Sequence, residues 1–329
     1  MTASGLYPLK FKTIFKDKIW GGNKIKTYLG KDYAPLPNCG ETWEISGVKG
    51  NLSVVSSGTL SGKSLPQLIE EYKSQLLGEK VYSQFGSEFP LLIKYIDAND
   101  DLSIQVHPDD ELAKKRHNSF GKTEMWYIMQ ADEGAQLNTG FNQPINEAIY
   151  LEHLNKNTLN EILNFETVNS GDVFFLPAGR VHYIGKGICL AEIQQTSDIT
   201  YRIYDFDRKD DQGNKRELHT QEALAAIDYQ YYDDYKTQYT PSPNKSAPLV
   251  SCPYFTTNLL EIDQTINKDY ASIDSFVIFI AIEGKTTIEY ENGTPITFSK
   301  GDCILLPANL YNIQLTPESN SKILEVYIS

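Results

Sequence analysis

The sequence predicts a mainly β chain: two antiparallel barrels in tandem, the first carrying helical insertions. Three observations lead there. Residues 171–182, GDVFFLPAGRVH, and residues 301–312, GDCILLPANLYN, share a Gly-Asp opening and Leu-Pro-Ala at the same offset. Upstream of each, an apolar run meets Glu-Gly, in MWYIMQADEG (125–134) and SFVIFIAIEG (275–284). The rest of each copy consists of short apolar runs separated by turn residues, the mark of an antiparallel sandwich or barrel.

The elements can be taken in chain order. WGGN (20–23) lacks the G-x-x-x-x-G-K-[ST] pattern of a phosphate loop and reads as a tight turn. A helix is expected over 64–78: Ser64 caps it, Pro66 suits its first turn, Gly78 ends it, and Leu68, Ile69, Tyr72, Leu76 and Leu77 form its apolar side. LSIQVH (102–107) alternates as a strand, with Leu102, Ile104 and Val106 on one face and Ser103, Gln105 and His107 on the other. The run 109–117 alternates in charge sign and reads as a solvated helix. In GKTEMWYI (121–128), Lys122, Glu124, Trp126 and Ile128 share a face. Segment 146–165 has no counterpart in the second copy and reads as one or two inserted helices. Gly-Asp opens the strand that follows, and Pro177 or Pro307 ends it, where a missing N–H is harmless. Segment 227–248, rich in Tyr, Asp, Pro and Ser, reads as a linker or strap. The expected units are therefore 1–235, with helical insertions near 64–78, 109–117 and 146–165, and 236–329.

Composition narrows the function classes. With 329 residues, 40% of them hydrophobic, the chain can bury a sizeable core. The net charge of −13 and the lack of a basic stripe exclude an ordinary nucleic-acid binder. No run of eighteen apolar residues suggests a membrane span, and the N-terminal stretch lacks the apolar core of a signal peptide. The four cysteines, Cys39, Cys189, Cys252 and Cys303, lie far apart without a C-x-x-C pair. Buried free thiols in a reducing cytoplasm are the expectation, as a monomer or homodimer.

Chemistry concentrates in the first copy. The apolar face of LSIQVH should pack outward and the polar face inward, where polar groups are costly unless something binds them. A metal ion would satisfy Gln105 and His107 together. Glu124 and His182, the latter at the end of the Gly-Asp…Pro strand, complete two imidazoles, a carboxylate and an amide oxygen. That set suits zinc with a position left open; nickel, cobalt, manganese and iron take similar ligands. Asn312 stands where the second copy would need its histidine, so that copy reads as structural. His117, His153 and His219 read as surface or capping residues. Downstream, Glu192, Gln194 and Thr196 alternate on one face. Arg202 lies among tyrosines, where it either stacks on rings or holds an anion.

Strand, turn, strand, Gly-Asp turn, strand, Pro, then His resembles a cupin, a small jelly-roll barrel, here as a tandem bicupin. Further stretches extend the likeness: WGG, ETWEISG (41–47), PLLIKYIDANDDLSIQVHPDD (90–110), KTEMWY (122–127), LPAGRVH (176–182) and SDITYR (197–202). Together they resemble the type I phosphomannose isomerases, in their compact bacterial branch. The resemblance implies a metal-dependent aldose–ketose isomerase that interconverts mannose 6-phosphate and fructose 6-phosphate through a cis-enediolate. It implies zinc on Gln105, His107, Glu124 and His182, and an active-site arginine at Arg202. It further implies phosphate-binding and proton-transfer groups among Ser103, Lys94, Lys122 and Glu192, with Trp20 and Trp126 as pocket walls. The base is either Glu192 or a metal-bound hydroxide. Longer members read His-Lys-Pro-Glu where this chain has GKTE (121–124), and their spacing from the second histidine to the glutamate is one residue shorter. A non-catalytic sugar-phosphate-binding bicupin and an iron-dependent cupin oxygenase are the rival readings.

Overall fold

A computed structural model describes residues 5–209, 212–291 and 293–329. The first barrel is built from β1 (Ile14–Lys16), β2 (Glu41–Ser46), β3 (Leu91–Ala98), β4 (Ile104–Val106), β5 (Glu124–Ala131), β6 (Gln136–Phe141), β7 (Leu163–Thr167), β8 (Val173–Leu176), β9 (His182–Ile184), β10 (Ile188–Gln195) and β11 (Tyr201–Tyr204). These pair into a six-stranded sheet, β1-β2-β3-β10-β5-β8, facing a five-stranded sheet, β11-β4-β9-β6-β7. The second barrel uses β12 (Ser246–Ser251), β13 (Thr256–Ile262), β14 (Ile266–Asp269), β15 (Val277–Glu283), β16 (Lys285–Tyr290), β17 (Ile296–Ser299), β18 (Cys303–Leu306), β19 (Asn312–Pro317) and β20 (Ser321–Tyr327). Its sheets run β12-β13-β20-β15-β18 and β14-β19-β16-β17. The repeat seen in the sequence is thus a repeat of topology: β10 lies between β3 and β5 as β20 lies between β13 and β15.

Alternation explains why the barrels pack as they do. On β5, Trp126 and Ile128 point into the first barrel with Leu137, Phe174 and Leu190. Met125, Tyr127 and Met129 point out and meet Ile278, Ile280, Leu305 and Val326 of the second barrel. The larger sheets therefore pack face to face through one continuous apolar cluster, and the pairing of Leu9 with Leu305 extends that contact.

Helices cover the exposed faces. They are α1 (Lys24–Thr27), α2 (Leu65–Tyr72), α3 (Ser74–Leu77), α4 (Glu79–Phe85), α5 (Asp110–His117), α6 (Glu147–Asn155) and α7 (Thr220–Leu224). The expected single helix over 64–78 is instead the pair α2 and α3, followed directly by α4. Lys73 sits at φ 48°, which a continuous right-handed helix does not accept. At φ 91°, Gly78 then passes so close to the second barrel that a Cβ there would lie 2.4 Å from the Asp274 carbonyl oxygen. The Asp274 carboxylate accepts from the Glu79 and Lys80 N–H groups, so one barrel caps a helix of the other. The 109–117 helix is present as α5, capped by the Asp109 side chain on the Leu112 N–H. Segment 146–165 departs from expectation at its end. After α6 and a short 3-10 turn (Leu159–Glu161), residues from Leu163 join the sheet as β7 beside β6.

The 227–248 stretch is a strap held by its tyrosines. Tyr235 OH donates to the Phe141 carbonyl and Tyr239 OH to that of Gly171. The Arg180 guanidinium lies over both the Tyr232 and Tyr235 rings. Of the cysteines, Cys39, Cys189 and Cys303 are buried free thiols, but Cys252 is only partly covered. No helix among the described residues is long and apolar enough to cross a membrane.

Candidate metal centre and its cleft

Three strands and one strand-end loop bring four side chains together inside the first barrel. Gln105 (β4) sits directly opposite His182 (β9), and its Nε2 donates to His182 Nε2 at 3.2 Å. A half-turn of that amide puts Oε1 in the same place. His182 Nε2 lies 3.4 Å from Glu124 Oε1, and His107 Nε2 lies 3.6 Å from Glu124 Oε2. The ligand atoms of His107, Glu124 and His182 all fall within 4.8 Å of one another.

The tautomers are set by what stands behind the rings. His107 Nδ1 is 2.9 Å from the Ile199 carbonyl oxygen, and His182 Nδ1 is 2.8 Å from that of Arg180. A carbonyl only accepts, so each Nδ1 carries the proton and each Nε2 turns a lone pair inward. Burial, with the Lys122 ammonium adding to it, drives His107 well below the usual imidazole range. Burial also lowers His182 to about 4, against the Arg180 carbonyl. Both rings are therefore neutral at pH 7, the state a cation needs. Burial, then the Glu192 carboxylate, pushes the Glu124 carboxyl up. Lys122 Nζ approaches Glu124 Oε2 to 3.1 Å, off the line of a hydrogen bond. His107 Nε2 and both Glu124 oxygens are consequently buried without hydrogen-bond partners. Three orphaned polar atoms converging on one point are costly unless a cation takes their lone pairs, so this donor set fits a divalent metal.

Beside this centre lies a second buried pair. Glu192 Oε1 accepts from Lys94 Nζ at 2.9 Å and Oε2 from Trp126 Nε1 at 2.9 Å. Burial opposes ionisation, but Lys94 and then Lys122 outweigh it and hold the Glu192 carboxyl below its usual value. Both groups open on a cleft of about 430 Å³ whose walls include Trp20, Lys94, Ser103, Gln105, Lys122 and Arg202. Arg202 sits opposite Gln105 on the neighbouring strand, its Nε buried and without a partner. Two aromatic rings near Arg202 stack on other cations: Arg116 covers Tyr201, and Arg208 covers Phe206.

Several placements differ from the sequence reading. Trp126 does not wall the cleft; it is fully buried beneath it, where it orients Glu192 and meets His182 edge-on. Leu102 was expected to face outward with Ile104 and Val106 but turns inward with Trp20 and Trp126. His219 is tied to the site region, its Nδ1 accepting from the Arg202 N–H. Sequence reasoning also missed Lys16, Lys18, Glu41, Trp43, Asn51 and Arg216 in the cleft wall. The i, i+2 spacing of Lys16 with Lys18, and of Glu41 with Trp43, was the available signal. Burial raises and Lys94, Lys18 and the Trp43 N–H lower the Glu41 carboxyl, leaving it at about 2.

The second barrel shows what the first retains. Glu124 pairs with Leu176, and at the corresponding register Val277 pairs with Leu306. Val277 and Asn312 thus replace the carboxylate and the imidazole. Glu325 stands where Glu192 stands, opposite Asn258 and Phe279 instead of Lys94 and Trp126. Its carboxylate is fully occupied by Ser246, Asn258, Lys268 and Tyr270.

Comparison with known proteins decides the family. The model of the type I phosphomannose isomerase catalytic domain matches residues 8–134, and that of the mannose-6-phosphate isomerase cupin domain matches residues 245–328. The mannose-6-phosphate isomerase of Streptococcus mutans is 36% identical over 308 residues, covering 93% of this chain and 94% of its own. The chain belongs to the type I phosphomannose isomerase family. A second relative, mannose-6-phosphate isomerase ManA of Bacillus subtilis, is 36% identical over 313 residues, 94% of this chain and 95% of its own. The crystal structure of the mannose 6-phosphate isomerase from Bacillus subtilis superposes with a TM-score of 0.87 at 31% identity, covering 97% of this chain and 99% of that one. The fold extends further: a phosphomannose isomerase from Salmonella typhimurium reaches a TM-score of 0.78 at 17% identity, covering 98% and 99%. Within this family the chain has the tandem cupin architecture and a buried His-Glu-His group able to hold a metal.

Proposed function

We propose that this enzyme interconverts mannose 6-phosphate and fructose 6-phosphate, with zinc held by Gln105, His107, Glu124 and His182. The observation that carries the proposal is the orphaned set of His107 Nε2 and the two Glu124 oxygens, buried beside the Glu192–Lys94 pair. A bound divalent metal supplies a Lewis acid that polarises the carbonyl and hydroxyl oxygens at C1 and C2.

The remaining steps belong to the chain. Glu192 is the base. Lys94 and Trp126 keep it ionised and fix its direction, while a carboxylate has lone pairs left over for a C–H proton. Starting from the aldose, it takes the proton from C2 and returns it to C1 through a cis-enediolate, while the O2 hydroxyl proton passes to O1 so that the carbonyl moves to C2. Arg202, adjacent to Gln105 and with a free buried Nε, stabilises the negative charge that develops on the enediolate oxygens. Lys122 balances the Glu124 carboxylate. Ser103 and Trp20 shape the wall that holds the sugar chain.

The test is a coupled isomerase assay on purified protein with its metal content measured. Chelation should abolish the conversion and zinc should restore it. Metal-replete protein that turns over neither mannose 6-phosphate nor fructose 6-phosphate would leave a sugar-phosphate binder in place of an enzyme. Oxygen consumption with bound iron would point instead to an oxygenase.

A further inference from the structure

The cleft carries more positive than negative charge on a strongly acidic chain. Lys16, Lys18, Lys94, Lys122, Arg202 and Arg216 line it, against the carboxylates of Glu41, Glu192 and Asp198. Most of those cations already have a carboxylate. Lys94 holds Glu192, Lys122 faces Glu124, Lys18 lies 3.3 Å from Glu41, and Arg216 is bound to Asp205. Among the described residues, the lining cations with no carboxylate partner are Lys16 and Arg202.

These two stand in different sheets. Arg202, on β11, adjoins Gln105 and the metal centre. Lys16 is on β1, the edge strand of the other sheet, with β2, β3 and β10 between it and β5. Its side chain leans back along the sheet: Nζ donates to Asn51 Oδ1 and sits 5.0 Å from the centre of the Trp43 ring. Lys94 Nζ lies 5.4 Å from the same ring. Trp43, on β2, thus stands between the strand that carries Lys16 and the strand that carries the lysine holding the proposed base. Fixing Asn51 Oδ1 on the lysine leaves the amide Nδ2 of Asn51 as a second donor at the same point.

We propose that Lys16, with Asn51, anchors the phosphate of the substrate at the mouth of the cleft. The proposal rests on the sugar-phosphate reading above and deepens it. With C1 and C2 at Glu192, the phosphate lies beyond four further carbons, on the far side of Trp43. Lys94 and Lys122 are occupied by the two site carboxylates, so the dianion meets its free cation at Lys16. Arg202 then serves the oxyanion formed during the reaction, and Lys16 the anion present throughout.

The experiment compares wild type, Lys16→Ala, Lys16→Arg and Asn51→Ala, all metal-loaded, in the isomerase assay. Loss of one charge-assisted contact should raise KM for mannose 6-phosphate about tenfold or more, with kcat within about twofold. Lys16→Arg should recover most of the loss, and inhibition by inorganic phosphate should weaken in parallel with KM in Lys16→Ala. A KM and a phosphate inhibition constant unchanged in Lys16→Ala would overturn the proposal. If the wild type showed no turnover, calorimetric titration with mannose 6-phosphate and with inorganic phosphate would still decide it. Weakened binding in Lys16→Ala would then support the anchor while the isomerase reading fell, and equal binding would overturn the anchor as well.

Discussion

Replacing Lys94 by methionine isolates the interaction that keeps Glu192 ionised. The Lys94–Glu192 pair is almost fully buried, with Nζ and Oε1 2.9 Å apart. Opposite charges 2.9 Å apart, at an effective dielectric of about 20, attract by about 6 kcal/mol before solvent screening. Lys122 remains nearby and water can enter the vacated space, so the Glu192 carboxyl should rise, by less than the loss of the Lys94 attraction alone would give. The sign for stability follows. In the wild type the folded value is depressed, so Glu192 adds stability above the unfolded carboxyl value, lost as pH falls through the folded one. In Lys94→Met burial outweighs the lowering that Lys122 still supplies, so the folded value lies above the unfolded one and stability should instead decline as pH rises through the folded value. Breaking a buried pair from one side costs about 3–5 kcal/mol. Two assays check this: kcat/KM against pH, whose acid limb should move upward, and urea unfolding at pH 5 and pH 8, where the variant should be the more stable at pH 5. An unmoved acid limb together with a stability loss under about 1 kcal/mol would refute the reasoning.

The other predictions address separate parts of the molecule. His107→Ala should lose both bound metal and activity, whereas Arg202→Ala should keep its metal and lose about 10²–10³ in kcat, as removal of an oxyanion donor does; metal analysis beside the kinetic assay separates the two. Trp126→Phe keeps an aromatic ring but removes the indole N–H that fixes Glu192 and leaves a cavity at a fully buried position, so kcat should fall by about tenfold or more and the melting temperature should also drop, with the kcat loss persisting well below the melting temperature. Glu325→Ala strips the buried partner from Lys268 and should cost about 3–5 kcal/mol of stability while leaving kcat and KM unchanged. In the wild type Glu325 is held below its usual pKa by Lys268, Tyr270 and Asn258 against the cost of burial. Its contribution should therefore be complete above about pH 4.3 and disappear as pH falls further, measurable by acid unfolding of the wild type against Glu325→Gln.

What the sequence by itself determined was the architecture and which residues gather as candidate metal donors. Gly-Asp turns, Leu-Pro-Ala strand ends and period-two alternation are local signals, and they marked both barrels and the inward faces of Gln105, His107 and Glu124. The single helix expected over 64–78 breaks at Lys73, whose φ of 48° no apolar pattern announces, and Gly78 just beyond is pressed against Asp274, 196 positions further along the chain. Tertiary structure alone decided how the charges are shared. That Lys94 belongs to Glu192, that Trp126 supports the site from below, and that Lys16 meets no carboxylate among the described residues all depend on strands distant in sequence lying side by side. Electrostatic pairing falls off over a few ångströms, so a chain that shows which charged residues it has cannot show which of them have already met.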